Sequence, residues 1–394
     1  MPARTLLNGD ILSTSTEPNA LNPAGLRIVL VLQGGGALGA YQAGVFQALH
    51  EHALAPDWVV GTSIGAINAA ILAGNRPEDR LPRLKQFWQR IAHRDSIDLN
   101  LLSDQQRRSN SWLSTFDTLL RGVPGFFRPR QFSLFPAGVA VPPEEASFYD
   151  TSELAHTLDE LVDFDYLNQP ESMRLSVNAL RVKCGTLASF DSAHQRLGEE
   201  HIRASGALPP GFPGVRVDGD LYWDGGLYSN TPLESVLDDT PHIDTLVFMV
   251  DLWSADGPEP TTLDEVQTRQ KDVTFASRSK RHIEDYVSRH TMQRKLRQLY
   301  AKLPDNAQNR RETEELVALG CDSTMHIVRL PYAGRDWHMA SKDINFSQGS
   351  IEWRWEQGYQ DALRAIRAAG WLALLEEDTP LVVHELPPYE RAAA

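Results

Sequence analysis

Cysteine is nearly missing from this chain. Its 394 residues contain two, Cys184 and Cys321, and neither belongs to a Cys-x-x-Cys pair. A disulfide framework or a cysteine-built zinc site is therefore not expected. The two thiols read as reduced, buried and structural, in keeping with a cytoplasmic setting. Long apolar runs are also lacking. No stretch approaches the roughly 20 apolar residues that span a bilayer, and residues 1–25 show no apolar segment after their basic start, so neither a transmembrane helix nor a signal peptide is expected. Membrane contact, if made, is expected to be peripheral. Positive charge is in deficit: 38 Lys and Arg stand against 52 Asp and Glu, for a formal net charge of −14. Phosphate repels such a surface, which argues against nucleic acid as a partner. There is no internal repeat, and nothing in the sequence fixes an oligomeric state.

What is present suits a large α/β core. Hydrophobic residues make up 42% of the chain, enough for one large core or a core with an appended domain. Apolar runs alternate with helical patterns. Residues 1–25 read as a loose polar tail. Leu26–Leu32 is almost wholly apolar, as in a strand buried on both faces of a parallel sheet. A Gly-rich stretch, a helical segment, a short strand at Trp58–Val60, a turn and an apolar helix at Ala66–Ala73 follow, which together make a βαβ unit. Residues 76–105 and 148–168 read as helical. Strands are expected at Met173–Leu180, near Cys184–Phe190 and at Thr245–Val250. Residues 106–147 form an irregular segment carrying Trp112, Phe116, Phe126, Phe127, Phe132 and Phe135. Such a segment is either a lid that binds acyl chains or simple packing beneath a long loop. Beyond residue 257 the pattern becomes helical and charged, with one late strand at 325–330. The basic run Arg269–Arg297 reads first as a solvated helix face and second as a contact for anionic headgroups.

Three short elements carry chemistry. Gly61-Thr62-Ser63-Ile64-Gly65 stands between a strand and a helix. A nucleophilic serine on so tight a turn needs small residues two positions to either side, and the helix N-terminus favours developing negative charge. The bland alternative is a serine that caps a helix. Gly34, Gly35, Gly36, Ala37, Leu38 and Gly39 follow the first strand. Glycines there let successive N–H groups converge on an oxyanion. The same loop matches G-x-G-x-x-G at Gly34, Gly36 and Gly39, so a nucleotide-binding oxidoreductase is a rival reading. That rival wants an acidic residue at the end of the next strand, whereas Asp57 precedes Trp58–Val60 and the strand runs into Ser63. The third element, Asp224-Gly225-Gly226, offers a carboxylate in an uncrowded turn, suited to a general base; alone it reads as a plain turn.

In that order the three elements resemble the patatin-like phospholipase family, and Ala204–Pro213 (ASGALPPGFP) resembles a further segment of that family. The resemblance covers roughly residues 26–255. It implies a three-layer α/β/α fold with a mostly parallel central sheet, here followed by a helical C-terminal extension at 258–394, with the hydrolase domain at 26–257. It implies that Ser63 is the nucleophile and Asp224 the general base, without a histidine. Gly34, Gly35, Gly36, Ala37 and Gly39 would then build the oxyanion hole, Gly61 and Gly65 the nucleophile elbow, and Gly225 and Gly226 would support the aspartate. The implied reaction is acyl-ester hydrolysis of phospholipids or related lipids through an acyl-enzyme, with no metal and no cofactor. A triad completed by His326 or His338 stays open at this point; His326 reads better as a core or edge residue and His338 as exposed. A catalytically silent lipid-binding protein is the remaining alternative.

Overall fold

The computed structural model describes residues 21–22, 25–93, 118–130, 140–276, 279–304, 323–333, 341–373 and 379–386, with positions 311, 315 and 320. The first apolar run forms β1 (Arg27–Leu32) and leads through a 3-10 turn at Gly36–Gly39 into α1 (Ala40–Glu51). β2 (Trp58–Gly61) leads into α2 (Ile64–Ala73), followed by α3 (Pro77–Arg90). A two-residue β3 (Arg128–Pro129) pairs with β4 (Tyr149–Asp150), and α4 (Ser152–Leu161) follows. Then come β5 (Arg174–Arg181), β6 (Thr186–Asp191), α5 (Glu199–Ser205), β7 (Val215–Val217), β8 (Asp220–Asp224) and β9 (Thr245–Asp251). The C-terminal part supplies α6 (Leu263–Phe275), α7 (Ser279–Ala301), β10 (Met325–Pro331), α8 (Gln348–Ala368) and β11 (Leu381–Glu385).

Among the described residues the main sheet has nine strands, in the order β11-β10-β9-β1-β2-β5-β8-β7, with β6 also on β5. From β11 to β5 every pairing is parallel; the β5–β6, β5–β8 and β8–β7 pairings are antiparallel. Both faces of β1 are covered, which is why its sequence is apolar throughout. Ile28, Leu30 and Leu32 join the core under α1, α2, α3 and α8. Val29 and Val31 join a second core with Trp58, Val247 and Tyr286 of α7, with Ile283 and Val287 packed against it. These are the three layers expected.

The segment after residue 257 is helical as expected in α6, α7 and α8, but it also lends the sheet two strands. β10 lies parallel to β9 and β11 parallel to β10, so one sheet crosses the expected boundary. β11 was not foreseen, because LVVHE is a five-residue run with only three apolar positions, too short to be read without the strand it pairs with. Cys184 corrects another expectation: it is exposed, on the β5–β6 hairpin, rather than buried. Cys321 lies outside the described residues.

Helices α1 and α8 meet backbone to backbone. A Cβ on Gly44 would stand 1.9 Å from the Trp355 carbonyl oxygen, and one on Gly358 would stand 1.9 Å from that of Tyr41. Hydrogen bonds flank the crossing, from Tyr41 to Asp361 at 2.8 Å and from Trp355 to Gln47 at 2.7 Å. Gly358→Ala cannot be absorbed by a side-chain shift, since the obstacle is main chain. We expect it to lower stability by about 1–3 kcal/mol or more, measured as the denaturant midpoint; an unchanged midpoint would mean that the two helices are not this close.

Candidate active site

The sheet itself brings the two sequence-distant elements together. β6 occupies one edge of β5 from Ser176 to Arg181. β2 and β8 must therefore share the other edge: Gly61 of β2 stands opposite Val177, and Asp224 of β8 opposite Ala179. Two residues along a strand are roughly 7 Å. Because β8 runs against β2, the carboxyl ends of the two strands face each other across that gap. Open α/β sheets bind ligands at the carboxyl ends of their parallel strands.

Ser63 occupies the turn between β2 and α2 with φ 57° and ψ −124°. A non-glycine residue in this region costs on the order of 1–3 kcal/mol, which surrounding contacts must hold in place. The expected elbow glycines explain how. A Cβ on Gly61 would stand 2.3 Å from the Gly65 carbonyl oxygen, and one on Gly65 would stand 2.3 Å from that of Leu32. The Ser63 N–H donates to Ser205 Oγ at 3.0 Å. Thr62 donates to Asn178 Oδ1 at 2.6 Å, which ties the turn to β5.

Asp224 is 1% exposed. Its N–H donates to the Ala207 carbonyl at 3.0 Å, and its Oδ1 accepts the Gly226 N–H at 2.7 Å. Burial away from water pushes its carboxyl up to about 7, against the opposing effect of the Gly226 N–H and of a hydrogen bond from the Ser63 side chain. A carboxylate at that pKa exchanges protons readily near neutral pH. Gly225 is required by close approach, since a Cβ there would meet the Asn178 carbonyl oxygen at 2.4 Å. The Ala204–Pro213 block thus serves both partners, with Ser205 holding the Ser63 amide and Ala207 the Asp224 amide.

One cavity is lined by Ser63, Asp224, Gly34, Gly35, Gly36 and Gly226. Its far wall is aromatic. Phe127 stacks edge-on or tilted against Phe126, Phe212 and Tyr149 with centroids 5.0–5.3 Å apart, and Phe346 lies 5.9 Å from Phe126. Phe126 and Phe127 belong to the aromatic segment singled out in the sequence; Trp112, Phe116, Phe132 and Phe135 lie outside the described residues.

The Gly-rich loop needs one correction. The Gly34 N–H donates to the Asn230 carbonyl at 3.1 Å, and the Gly34 carbonyl accepts from Trp253 Nε1 at 2.8 Å and Asn230 Nδ2 at 3.1 Å. Gly34 therefore anchors the loop instead of donating to a ligand. Gly35 and Gly36 face the cavity. Gly36 has φ +55°, and a Cβ there would stand 2.3 Å from the Asp343 carbonyl oxygen. Ala37 and Gly39 lie behind the cavity wall: the Ala37 side chain is buried, and a Cβ on Gly39 would meet Ile64 at 2.6 Å.

Other candidates fall away from the site. His326, on β10, shares a hydrogen bond of 3.0 Å with His384 of β11, and burial holds both imidazoles below their usual range. His338 lies outside the described residues. Asp57, the weak candidate for a ribose contact, accepts the Ile28 N–H at 2.8 Å. Two cations of the run Arg269–Arg297 are bound within the chain, Arg289 to Asp238 at 2.7 Å and Arg294 to the Ser323 carbonyl at 3.0 Å. Among the described residues no cluster of His, Cys, Asp and Glu suits a metal ion. Two residues at the site had gone unremarked. Gln33 accepts the N–H groups of Leu252 and Trp253 and donates to Thr231 at 2.8 Å. Asn230 bridges Gly34 and the Phe275 carbonyl, the latter at 2.9 Å. A polar Gln closing an apolar strand was the signal for the first; nothing local marked the second.

Residues 30–237 match the family model described as patatin-like phospholipase, and residues 273–378 match one described as patatin phospholipase. Triacylglycerol lipase ptl3 of Schizosaccharomyces pombe is 43% identical over 58 residues, 15% of this chain and 12% of that protein. Lysophospholipase NTE1 of Candida glabrata is 25% identical over 240 residues, 60% of this chain and 11% of that protein. The chain thus spans about an eighth or less of the curated relatives it matches. Among solved structures, VipD from Legionella pneumophila aligns with a TM-score of 0.37 at 14% identity, over 87% of this chain and 67% of VipD. Residues 30–237 are more than half of the 394, and Ser63, Asp224 and the Gly-rich loop all fall within them, so the chain belongs to the patatin-like phospholipase family.

Proposed function

We propose that the chain is a serine acyl hydrolase that cleaves acyl esters of phospholipids or related lipids through Ser63 and Asp224. The observation that carries this is a serine hydroxyl on a strained strand-to-helix turn beside a buried carboxyl whose pKa is about 7. The names of its relatives, a triacylglycerol lipase and a lysophospholipase, support a lipid substrate. So does an aromatic wall facing the hydroxyl.

In the acylation step the Asp224 carboxylate takes the Ser63 proton as Oγ attacks the ester carbonyl. The carbonyl π pair moves to oxygen, and the N–H groups of Gly35 and Gly36, the loop residues that face the cavity, receive the oxyanion. Each such donor is worth about 3–4 kcal/mol in the transition state. Collapse expels the alcohol, which takes the proton from Asp224. A water molecule then gives its proton to Asp224 and attacks the acyl-enzyme; as that intermediate collapses, Asp224 passes the proton to Ser63 Oγ, which releases the fatty acid and restores the serine. Neither metal nor cofactor enters these steps. Among the described residues no helix is long and apolar enough to cross a membrane.

A fluorophosphonate probe, combined with a panel of p-nitrophenyl esters and lysophosphatidylcholine, tests this reading. The expected result is one adduct per chain on the peptide holding Ser63, together with turnover of at least the short esters. Absence of both adduct and turnover would favour a silent lipid-binding protein and end the proposal.

A further inference from the structure

Arg354, on the first turns of α8, is wholly buried. Its guanidinium donates to three main-chain carbonyls: Ala37 at 3.1 Å, Asn345 at 3.0 Å and Lys342 at 2.8 Å. Desolvating a guanidinium is costly, and an apolar side chain of similar volume is often at least as stabilising. Its value therefore lies in what it fixes. We propose that Arg354 is a positioning residue for the Gly35–Ala37 loop, so that the C-terminal helix sets the aim of the oxyanion donors. This rests on the hydrolase reading above.

The surroundings of these contacts converge on that assignment. The Ala37 carbonyl belongs to the turn that begins at Gly36, so a donor on it fixes how the turn is rotated about the chain. Asp343 lies between two of the carbonyls that Arg354 holds, and its own carbonyl closes over Gly36 so tightly that a Cβ would stand 2.3 Å away. One guanidinium thus clasps the Gly-rich loop and the Lys342–Ile344 turn together. That turn is tied in turn to α6, by Lys271 to Asp343 at 2.8 Å and Lys342 to Asp272 at 2.6 Å. Asp343 and Ile344 also line the cavity. Finally, α8 cannot slide on α1, because Gly44 and Gly358 lock the crossing. The path from α8 to the loop is rigid at each step. The two separately matched segments, 30–237 and 273–378, therefore meet at the oxyanion loop.

The test uses the full chain with Arg354→Lys and Arg354→Met. Misaiming the donors removes an interaction made only in the transition state. The expected result with p-nitrophenyl butyrate is a kcat lowered about 10–100-fold, with KM within about twofold. Affinity for a trifluoromethyl ketone, which adds to the serine as a tetrahedral adduct, should fall by the same factor as kcat. Amide exchange should accelerate in the peptide spanning residues 33–40 and stay unchanged in β1 and β9. Lysine should recover part of the loss seen with methionine, since an ammonium can still bond one or two of the carbonyls. The lysine variant also decides the matter if the methionine variant does not fold. Wild-type kcat with unchanged loop exchange would overturn the proposal, as would a loss carried wholly by KM. If the wild-type chain hydrolyses no ester, the hydrolase reading fails by itself, and loop exchange still shows whether Arg354 holds the loop.

Discussion

Ser63→Ala is expected to abolish ester hydrolysis, with a fall in kcat on the order of 10⁶-fold, the scale seen when the nucleophile of a serine hydrolase is removed. The protein should stay folded. The constraints on residue 63 are carried by main chain: its N–H is bonded to Ser205, and Gly61 and Gly65 are the residues crowded by backbone. Alanine meets the same φ of 57° with the same Cβ, so the denaturant midpoint should not fall. The variant should also fail to take up a fluorophosphonate. Turnover above about 1% of wild type in a preparation free of contaminating esterase would require another nucleophile.

Asp224→Asn should cost on the order of 10⁴-fold in kcat, because the amide cannot take the serine proton. The pH dependence is the sharper readout. A base works in its ionised form, so wild-type kcat/KM should rise tenfold per pH unit below about 7 and level off above it, following the carboxyl at about 7. The residual activity of the variant should lack that limb.

Stability should move the other way. Burial raises the Asp224 pKa above the ~4 of an unfolded chain, so between those two values the folded state holds a proton that the unfolded state has released. The stability that goes with the neutral carboxyl is fully present below pH ~4 and is lost as pH rises through about 7. The loss amounts to about 4 kcal/mol as an upper figure for a three-unit shift. Asparagine keeps the acceptor for the Gly226 N–H and carries no charge to desolvate. The variant should therefore be more stable than wild type at pH 8 and equal to it near pH 4. A variant that is less stable at pH 8 would mean that the carboxylate is paired or hydrated and that its pKa lies lower.

The parts of this fold that rest on local chemistry were legible in the sequence. β1, β2 and β9 announce themselves because a strand covered on both faces has few polar positions to confuse its pattern. The elbow was legible because only glycine tolerates the main-chain approaches at 61 and 65, and the pair of glycines frames the serine. The parts that rest on long-range pairing were not. β11 needs β10 beside it before its short run means anything. Gly34 looks like any other glycine of its loop until Asn230, 196 positions on, takes its N–H. Arg354 sits in an ordinary charged helical stretch, and only the descent of α8 onto α1 carries its guanidinium inward.

By itself, then, the sequence determined which residues are small enough, apolar enough or acidic enough to form a tight turn, a sheet and a carboxyl in an uncrowded loop, since those demands are met within a few positions along the chain. Only the tertiary structure decided that Ser63 and Asp224 meet, because that depends on β2 and β8 sharing one edge of β5. It also decided which amides of the glycine loop stay free for a ligand, because hydrogen-bond donors are claimed by whichever acceptor the fold brings nearest, at any distance in sequence.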